Sequence, residues 1–157
     1  MNNKYLNIYN NLIKLTRNKN IFLKLSKQDT FSDRLIILLI HFSFFLQVYK
    51  KENSKRELQK MHDFFFRQLE LSVREIGYGD VTINKKMKDY INLFYFIIEK
   101  LNNWNDFNSQ NKREILSDLL NIENNIDYFI DYFDKYLNYL KNNTFNYFTK
   151  DVIKLEF

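Results

Sequence analysis

The stretch Val73-Arg74-Glu75-Ile76-Gly77-Tyr78-Gly79-Asp80-Val81 separates two long helical patterns and holds both glycines of the 157-residue chain. Gly77 follows a run with helical spacing and suits the left-handed position just past a helix, which glycine adopts at little steric cost. Gly79 provides a second conformationally permissive position in the turn before a new helix, which we expect to begin near Thr82. We therefore predict an αα-hairpin with its turn at Gly77–Gly79.

The composition of the chain indicates one helical domain. It has no proline, and 45% of its residues are hydrophobic, which is enough to build a sizeable core. We predict an all-α fold over residues 1–157, a compact domain of about six to seven helices with one central apolar helix. Because the sequence has no cysteine, neither disulfides nor thiolate metal sites are available to it.

Apolar residues recur at three- and four-residue steps along most of the chain, which is the spacing of one helix face. The helices expected from this spacing cover about 3–16, 21–25, 29–50, 54–76, 82–103, 112–121 and 124–142. Candidate N-caps of the third helix are Asp29, Thr30 and Ser32, whose side-chain oxygens can accept a backbone hydrogen bond. On the fourth helix, the expected buried face ends with Ser72 and Ile76. Residues 105–110 form a polar connection, and 145–157 alternate weakly, as an extended tail would.

The most apolar segment runs from Leu35 to Val48. As a helix these fourteen residues rise only about 21 Å, short of a hydrocarbon core of roughly 30 Å. His41, Ser43 and Gln47 also interrupt the segment. We predict a buried central helix rather than a membrane span. Its apolar residues are too many for one face, so either the domain surrounds the helix, which we favour, or the second face is a docking surface for a partner.

The sequence does not show a catalytic constellation. His41 and His62 are the only histidines, and neither has a carboxylate three or four residues earlier as a di-iron site would need. No serine lies in a strained glycine-flanked turn, and the Gly77-Tyr78-Gly79 run lacks the third glycine of a phosphate loop. We expect no enzyme activity, metal or cofactor, and we expect His41 to be a core or interface histidine with a satisfied hydrogen bond.

Basic residues cluster just after the glycines. The net charge is +5, and Lys85, Lys86 and Lys88 fall in the first turns of the expected helix, where each exposed cation costs about 0.3 to 1 kcal/mol against the helix dipole. One interpretation is that the lysines bind an external anion, the phosphate of ribosomal RNA or of a lipid headgroup. The other is that they are solvated and paired with Asp80 and Asp89.

Two arginines have a local explanation. Arg74 lies three residues before Gly77, in the last turn of the expected helix, where a cation interacts favourably with the helix C-terminal dipole. Arg34 follows Asp33 at the expected start of the central helix, where the two side chains can form an ion pair. Neither position therefore requires a ligand.

Taken in order, several segments resemble the ubiquinol–cytochrome c chaperone family. They are Phe64–Val81, then Lys85–Lys88, then Phe94-Tyr95, with Gln28–Arg34 upstream and His41 at the matching distance. The family pattern is approximately an aromatic-rich helix, Leu/Val-Arg-Glu-Met/Ile-Gly-x-Gly-Asp, a Lys/Arg-rich helix start and Phe-Tyr-Gly-Arg. The resemblance covers about residues 22–104.

Three positions of this chain depart from the family pattern. Phe96-Ile97 stands where the family usually has Gly-Arg, Asp33 replaces a glycine, and Leu69-Glu70 replaces Met-Asp. These departures indicate a divergent member of the family. The residues at matching motif positions, which the resemblance implies organise the hinge or contact a partner, are Arg34, His41, Arg74, Glu75, Gly77, Gly79, Asp80, Lys85, Lys86, Lys88, Phe94 and Tyr95.

The resemblance implies an assembly chaperone for the cytochrome bc1 complex, respiratory complex III, that binds and stabilises newly made cytochrome b. Implied partners are cytochrome b or another bc1 subunit, a small partner chaperone, and a ribosome or anionic membrane surface, with no specific DNA. Because Met1–Lys4 precedes an amphipathic run, we expect no signal peptide and a cytoplasmic protein held peripherally at the inner membrane, or on the matrix side if eukaryotic. The alternative is a peripheral membrane-binding or RNA-binding helical module without a cytochrome b client.

Overall fold

The computed structural model describes residues 3–25 and 31–150. Within these residues the chain forms seven α-helices, two 3-10 turns and no strand, which confirms the predicted all-α fold. The helices are α1 Asn3–Thr16, α2 Lys19–Leu23, α3 Phe31–Tyr49, α4 Lys55–Glu75, α5 Asp80–Leu101, α6 Ser109–Leu120 and α7 Ile126–Lys141; the 3-10 turns are Trp104–Asp106 and Phe145–Thr149.

Helix α3 lies at the centre, with α1, α5, α6 and α7 packed around it. The apolar residues of α3 are too many for one face of the helix. These neighbours also fully bury its second face, at Ile37, Ile40 and Phe44. By length and hydropathy alone, α3 would also qualify as a membrane span, and among the described residues it is the one helix that does so. Its burial within the domain confirms the prediction of a central helix surrounded by its own fold.

Aromatic stacking joins α3 to the hairpin. The ring of Phe42 stacks on Phe65 of α4 with centroids 3.9 Å apart and on Phe94 of α5 at 5.2 Å. All three side chains are buried, and each removes a large apolar surface from water. These contacts hold α4 and α5 side by side on the central helix.

Polar side chains and glycine set the helix ends. Ser54 accepts a hydrogen bond of 3.1 Å from the Glu57 amide and begins α4. Asn108 caps α6 in the same way through the Asn111 amide at 2.8 Å. That cap starts α6 at Ser109, so the predicted polar connection over 105–110 is shorter and partly helical.

Three local predictions differ from the structure or concern residues outside the described ranges. Residues 145–149 form a 3-10 turn rather than an extended tail, because Phe145 and Phe148 are buried against the core. Ser32 lies inside the first turn of α3, not at its N-cap. The other two cap candidates, Asp29 and Thr30, lie outside the described residues, as do positions 151–157 of the tail.

Candidate functional site

The hinge between α4 and α5 is a tight turn of four residues, 76–79, fixed by buried apolar side chains on both sides. Val73 in the last turn of α4 and Ile83 in the first turns of α5 are both buried. Gly77 has φ +103°, a conformation that other residues rarely adopt. A Cβ at this position would meet nothing within 4 Å, so glycine is required by the backbone angle alone.

The second glycine has a different role from the predicted one. Gly79 is the N-cap of α5 with an extended backbone, φ −73° and ψ 162°, which most residues can adopt. The helix therefore begins at Asp80, two residues before the predicted start at Thr82. Only Gly77 needs the conformational freedom of glycine.

An ion pair links the two helices across the hinge. Nη1 of Arg74 donates a hydrogen bond of 2.6 Å to Oδ1 of Asp80, joining the last turn of α4 to the first residue of α5. Nε of Arg74 also lies 3.8 Å from a Glu70 carboxylate oxygen. The hydrogen bond to Asp80 raises the pKa of Arg74 above its ordinary value. Glu75, the adjacent motif residue, is exposed to solvent.

Three apolar side chains at the tip of the hinge face solvent. Ile76 is 54% exposed, Tyr78 43% and Val81 85%. The helical pattern had placed Ile76 on the buried face of α4, which is wrong because the helix reaches the end of the core one turn earlier, at Val73. Ser72, also assigned to that face, is exposed. The tip therefore presents apolar surface that the domain itself does not use.

The lysines follow this apolar tip. Lys85 and Lys88 are exposed, and Nζ of Lys86 lies 4.7 Å from the centre of the Tyr78 ring, a cation–π contact. Within residues 31–150, none of the three lies within 4 Å of a carboxylate, so the pairing with Asp80 or Asp89 considered above does not form. Asp80 is paired with Arg74 instead.

Four motif residues, Arg34, His41, Phe94 and Tyr95, lie away from the hinge. His41 is fully buried on α3; its Nδ1 is 2.7 Å from the Ile37 carbonyl and its Nε2 is 2.7 Å from the Tyr132 hydroxyl. Because a carbonyl only accepts, the neutral ring carries its proton on Nδ1 and accepts at Nε2. Burial lowers the pKa of His41 to about 4, which keeps the ring neutral. These contacts confirm the prediction of a core histidine.

Phe94 and Arg34 also have local packing partners. Phe94 is fully buried in the aromatic stack below the hairpin. The guanidinium carbon of Arg34 lies 5.7 Å from the centre of the Phe22 ring, at a cavity shared with α4. Tyr95, by contrast, is 53% exposed and stacks on the His62 ring with centroids 5.8 Å apart.

The structure thus brings together only part of the predicted set. Arg74, Gly77, Gly79 and Asp80 form the hinge, with Lys86 held beside it through Tyr78. Sequence reasoning missed the exposed apolar tip, although an aromatic residue between two glycines was a signal for it. Across residues 3–25 and 31–150, no group of three or more His, Cys, Asp or Glu side chains is placed to hold a metal ion.

Comparison with known proteins gives one match. The model of a family described as ubiquinol–cytochrome C chaperone matches residues 23–125, from the end of α2 to the start of α7, with the hinge near its centre. No curated protein and no solved structure matches the chain significantly. The matched segment covers nearly all of residues 22–104, where the resemblance was expected, and continues through α6. Since it spans roughly two thirds of the 157 residues, the chain belongs to the ubiquinol–cytochrome c chaperone family.

Proposed function

We propose that this protein is a non-enzymatic assembly chaperone of the cytochrome bc1 complex that binds and stabilises newly made cytochrome b. The observation that carries the proposal is the exposed apolar hinge inside the segment that matches the chaperone family. Membership of that family supports a chaperone role for a component of the bc1 complex. The choice of cytochrome b as client rests on the resemblance.

The proposed client surface is the tip formed by Ile76, Tyr78 and Val81. Helix α3 does not supply this surface, because its apolar faces are covered by other helices of the domain. An apolar segment of the client would remove the tip side chains from water, at roughly 25 cal/mol per Å² of apolar area. The Arg74–Asp80 ion pair holds the tip in one conformation before the client arrives.

The lysines at the start of α5 suggest where this binding takes place. Lys85, Lys86 and Lys88 can be attracted to an anionic surface, either the ribosome that makes the client or the membrane that receives it. We propose peripheral association with the cytoplasmic side of the inner membrane, or its matrix side in a mitochondrion. A small partner chaperone and a second bc1 subunit are further proposed partners.

Affinity purification from the membranes of the organism that encodes the protein tests the client. We expect cytochrome b to co-purify with the tagged wild type and to be lost with Arg74→Ala/Asp80→Ala. The matched control is Asp131→Ala/Lys135→Ala, which removes another exposed ion pair, of 2.9 Å, on α7. The control should retain cytochrome b. Absence of cytochrome b from the wild-type sample would contradict the proposal.

The exposed lysine cluster favours a second candidate, a peripheral membrane-binding or RNA-binding module with no cytochrome b client. The two functions differ in their salt dependence. Phosphate-dominated binding weakens steeply between about 50 and 200 mM salt, whereas apolar client binding does not. Recovery of only lipid or ribosomal material, lost on raising the salt, would support this second function.

A further inference from the structure

One side of helix α5 is exposed along most of its length. Because a helix turns about 100° per residue, five exposed side chains point within about 60° of one direction around its axis. These five residues, which we call the outer face of α5, are Val81, Lys85, Lys88, Tyr95 and Phe96. The outer face extends about 22 Å along the helix. The opposite side of α5 packs on the core through Ile83, Met87 and Phe94.

The two aromatic side chains of the outer face are held by neighbouring groups. The ring of Tyr95 is parallel to the His62 ring of α4 within 5°, with centroids 5.8 Å apart. Nζ of Lys100 lies 5.3 Å from the centre of the Phe96 ring, and that ring is still 49% exposed. Rings that are already restrained lose little conformational entropy when a partner covers them, and exposed aromatic anchors contribute much of the affinity of protein interfaces.

The middle of the outer face is positively charged. Neither Lys85 nor Lys88 lies within 4 Å of a carboxylate among residues 31–150. Beyond the aromatic pair, Glu99 and Lys100 are exposed and have opposite charges. The unpaired positive charge therefore lies between two uncharged ends, Val81 at one end and the aromatic pair at the other.

We propose that the outer face of α5 binds an acidic amphipathic helix of the client, with apolar side chains at both ends of its contact face and carboxylates between them. The carboxylates complement Lys85 and Lys88 and fix the position of the helix along α5. The apolar ends cover Val81 and the two rings and remove them from water. This inference rests on the proposed function, because Val81 belongs both to the hinge tip and to the outer face.

The order of side chains on the outer face favours a protein helix over a lipid bilayer as its partner. A helix that lies on a membrane buries one continuous apolar side. On the outer face Lys85 and Lys88 separate Val81 from the aromatic pair, so the apolar groups cannot enter hydrocarbon together without the two ammonium groups. The lysines can still attract the whole protein to an anionic surface, since that attraction acts at a distance and requires no insertion.

Binding of a fluorescent helical peptide to the full chain tests the proposal. The probe is a peptide of about 18 residues, long enough to span the outer face, with Leu at both ends of one helix face and Glu in the middle of that face. One control peptide has Lys in place of Glu, and another has the Leu and Glu positions exchanged. Fluorescence anisotropy should show that the probe binds at least about tenfold more tightly than either control.

Two double variants separate the aromatic and the charged contributions. Tyr95→Ala/Phe96→Ala should weaken binding of the probe at least about tenfold, whereas Leu6→Ala, which truncates an exposed apolar side chain on α1, should not affect it. Lys85→Glu/Lys88→Glu should reverse the preference, so that the Lys peptide binds more tightly than the Glu peptide.

A matched variant controls for net charge. Lys50→Glu/Lys51→Glu changes the charge by the same amount at exposed positions near the end of α3 and should leave the order of the peptides unchanged.

Three results would each overturn the proposal. They are equal binding of the three peptides, an unchanged preference in Lys85→Glu/Lys88→Glu, and loss of anionic-vesicle binding without loss of peptide binding in Tyr95→Ala/Phe96→Ala. The last result would assign the outer face to a bilayer. None of these measurements involves cytochrome b, so a failure here with cytochrome b still co-purifying leaves the proposed function in place. Absence of cytochrome b from the wild-type purification contradicts that function whatever the peptides show.

Discussion

The Arg74 guanidinium reaches across the turn between α4 and α5 and donates a hydrogen bond of 2.6 Å to the Asp80 carboxylate. The two residues are six positions apart, so they cannot be neighbours on one continuous helix face. They meet because Gly77 turns the chain at φ +103° and α5 starts directly at Asp80. The ion pair therefore depends on the backbone geometry of this hinge.

Arg74→Ala/Asp80→Ala should leave the urea unfolding midpoint nearly unchanged. The Arg74 side chain is 40% exposed and that of Asp80 82%, and exposed ion pairs contribute little to stability because water and salt screen them. Any loss of client from this variant would then reflect the hinge surface rather than unfolding. A large fall in the midpoint would show that the ion pair supports the fold instead.

Gly77→Ala should lower the free energy of unfolding by about 1 to 2 kcal/mol, because an alanine at a positive φ is strained. The matched control is Gly79→Ala at φ −73°, where neither the backbone angle nor nearby atoms oppose a Cβ. Urea unfolding of both variants measures the difference. Equal losses would contradict the assigned conformations of the two glycines.

Stability should fall on acidification through His41. Its pKa is lowered from 6.5 to about 4 in the folded protein, so below pH 6.5 the unfolded chain binds a proton that the folded chain does not. This contribution is complete above pH 6.5 and is lost as the pH falls toward 4. Between pH 7 and pH 5 the loss is about 2 kcal/mol.

His41→Gln provides the comparison for that pH dependence. Glutamine can donate to the Ile37 carbonyl and accept from Tyr132, but it does not titrate. Urea unfolding at pH 7 and pH 5 should show a smaller loss for this variant than for the wild type. If the two proteins lost equal stability, other groups would account for the whole pH effect.

Helix α7 should be essential to the fold although it lies outside the segment matched by the family. Phe133 is fully buried, and the centroid of its ring lies 5.4 Å from that of His41 and 5.6 Å from that of Phe44, both on α3. Phe133→Ala should cost about 3 to 5 kcal/mol by leaving a cavity beside the central helix. The exposed Tyr95→Ala should cost much less, and similar losses for both would contradict this packing.

The lysine cluster makes a distinct prediction for anionic bilayers. Each lysine near such a surface contributes about 1 kcal/mol, so replacing Lys85, Lys86 and Lys88 by Gln should weaken binding to anionic vesicles roughly a hundredfold. Vesicle co-sedimentation at low salt measures this. Replacing the exposed Lys50, Lys51 and Lys55 by Gln changes the net charge by the same amount and should have a small effect on vesicle binding. Equal effects of the two triple variants would point to net charge alone.

The sequence was most informative where local chemistry decides conformation. The predicted bounds of α1 match the structure, and Gly77 has the left-handed conformation expected after a helix. These features depend on helical spacing and on backbone sterics within a few residues. The buried, hydrogen-bonded state of His41 followed from the apolar helix around it.

How far the buried face of a helix extends was decided only by the tertiary structure. Ile76 fits the apolar spacing of α4, yet no neighbouring helix extends far enough to cover it. The exposed tip at Tyr78 and Val81 and the pairing of Arg74 with Asp80 likewise depend on how two helices meet at the turn. By itself the sequence determined an all-α chain with a glycine hinge and the family to which it belongs. Packing between distant helices decided which of its apolar and charged groups face water, because burial is set by contacts that local spacing does not encode.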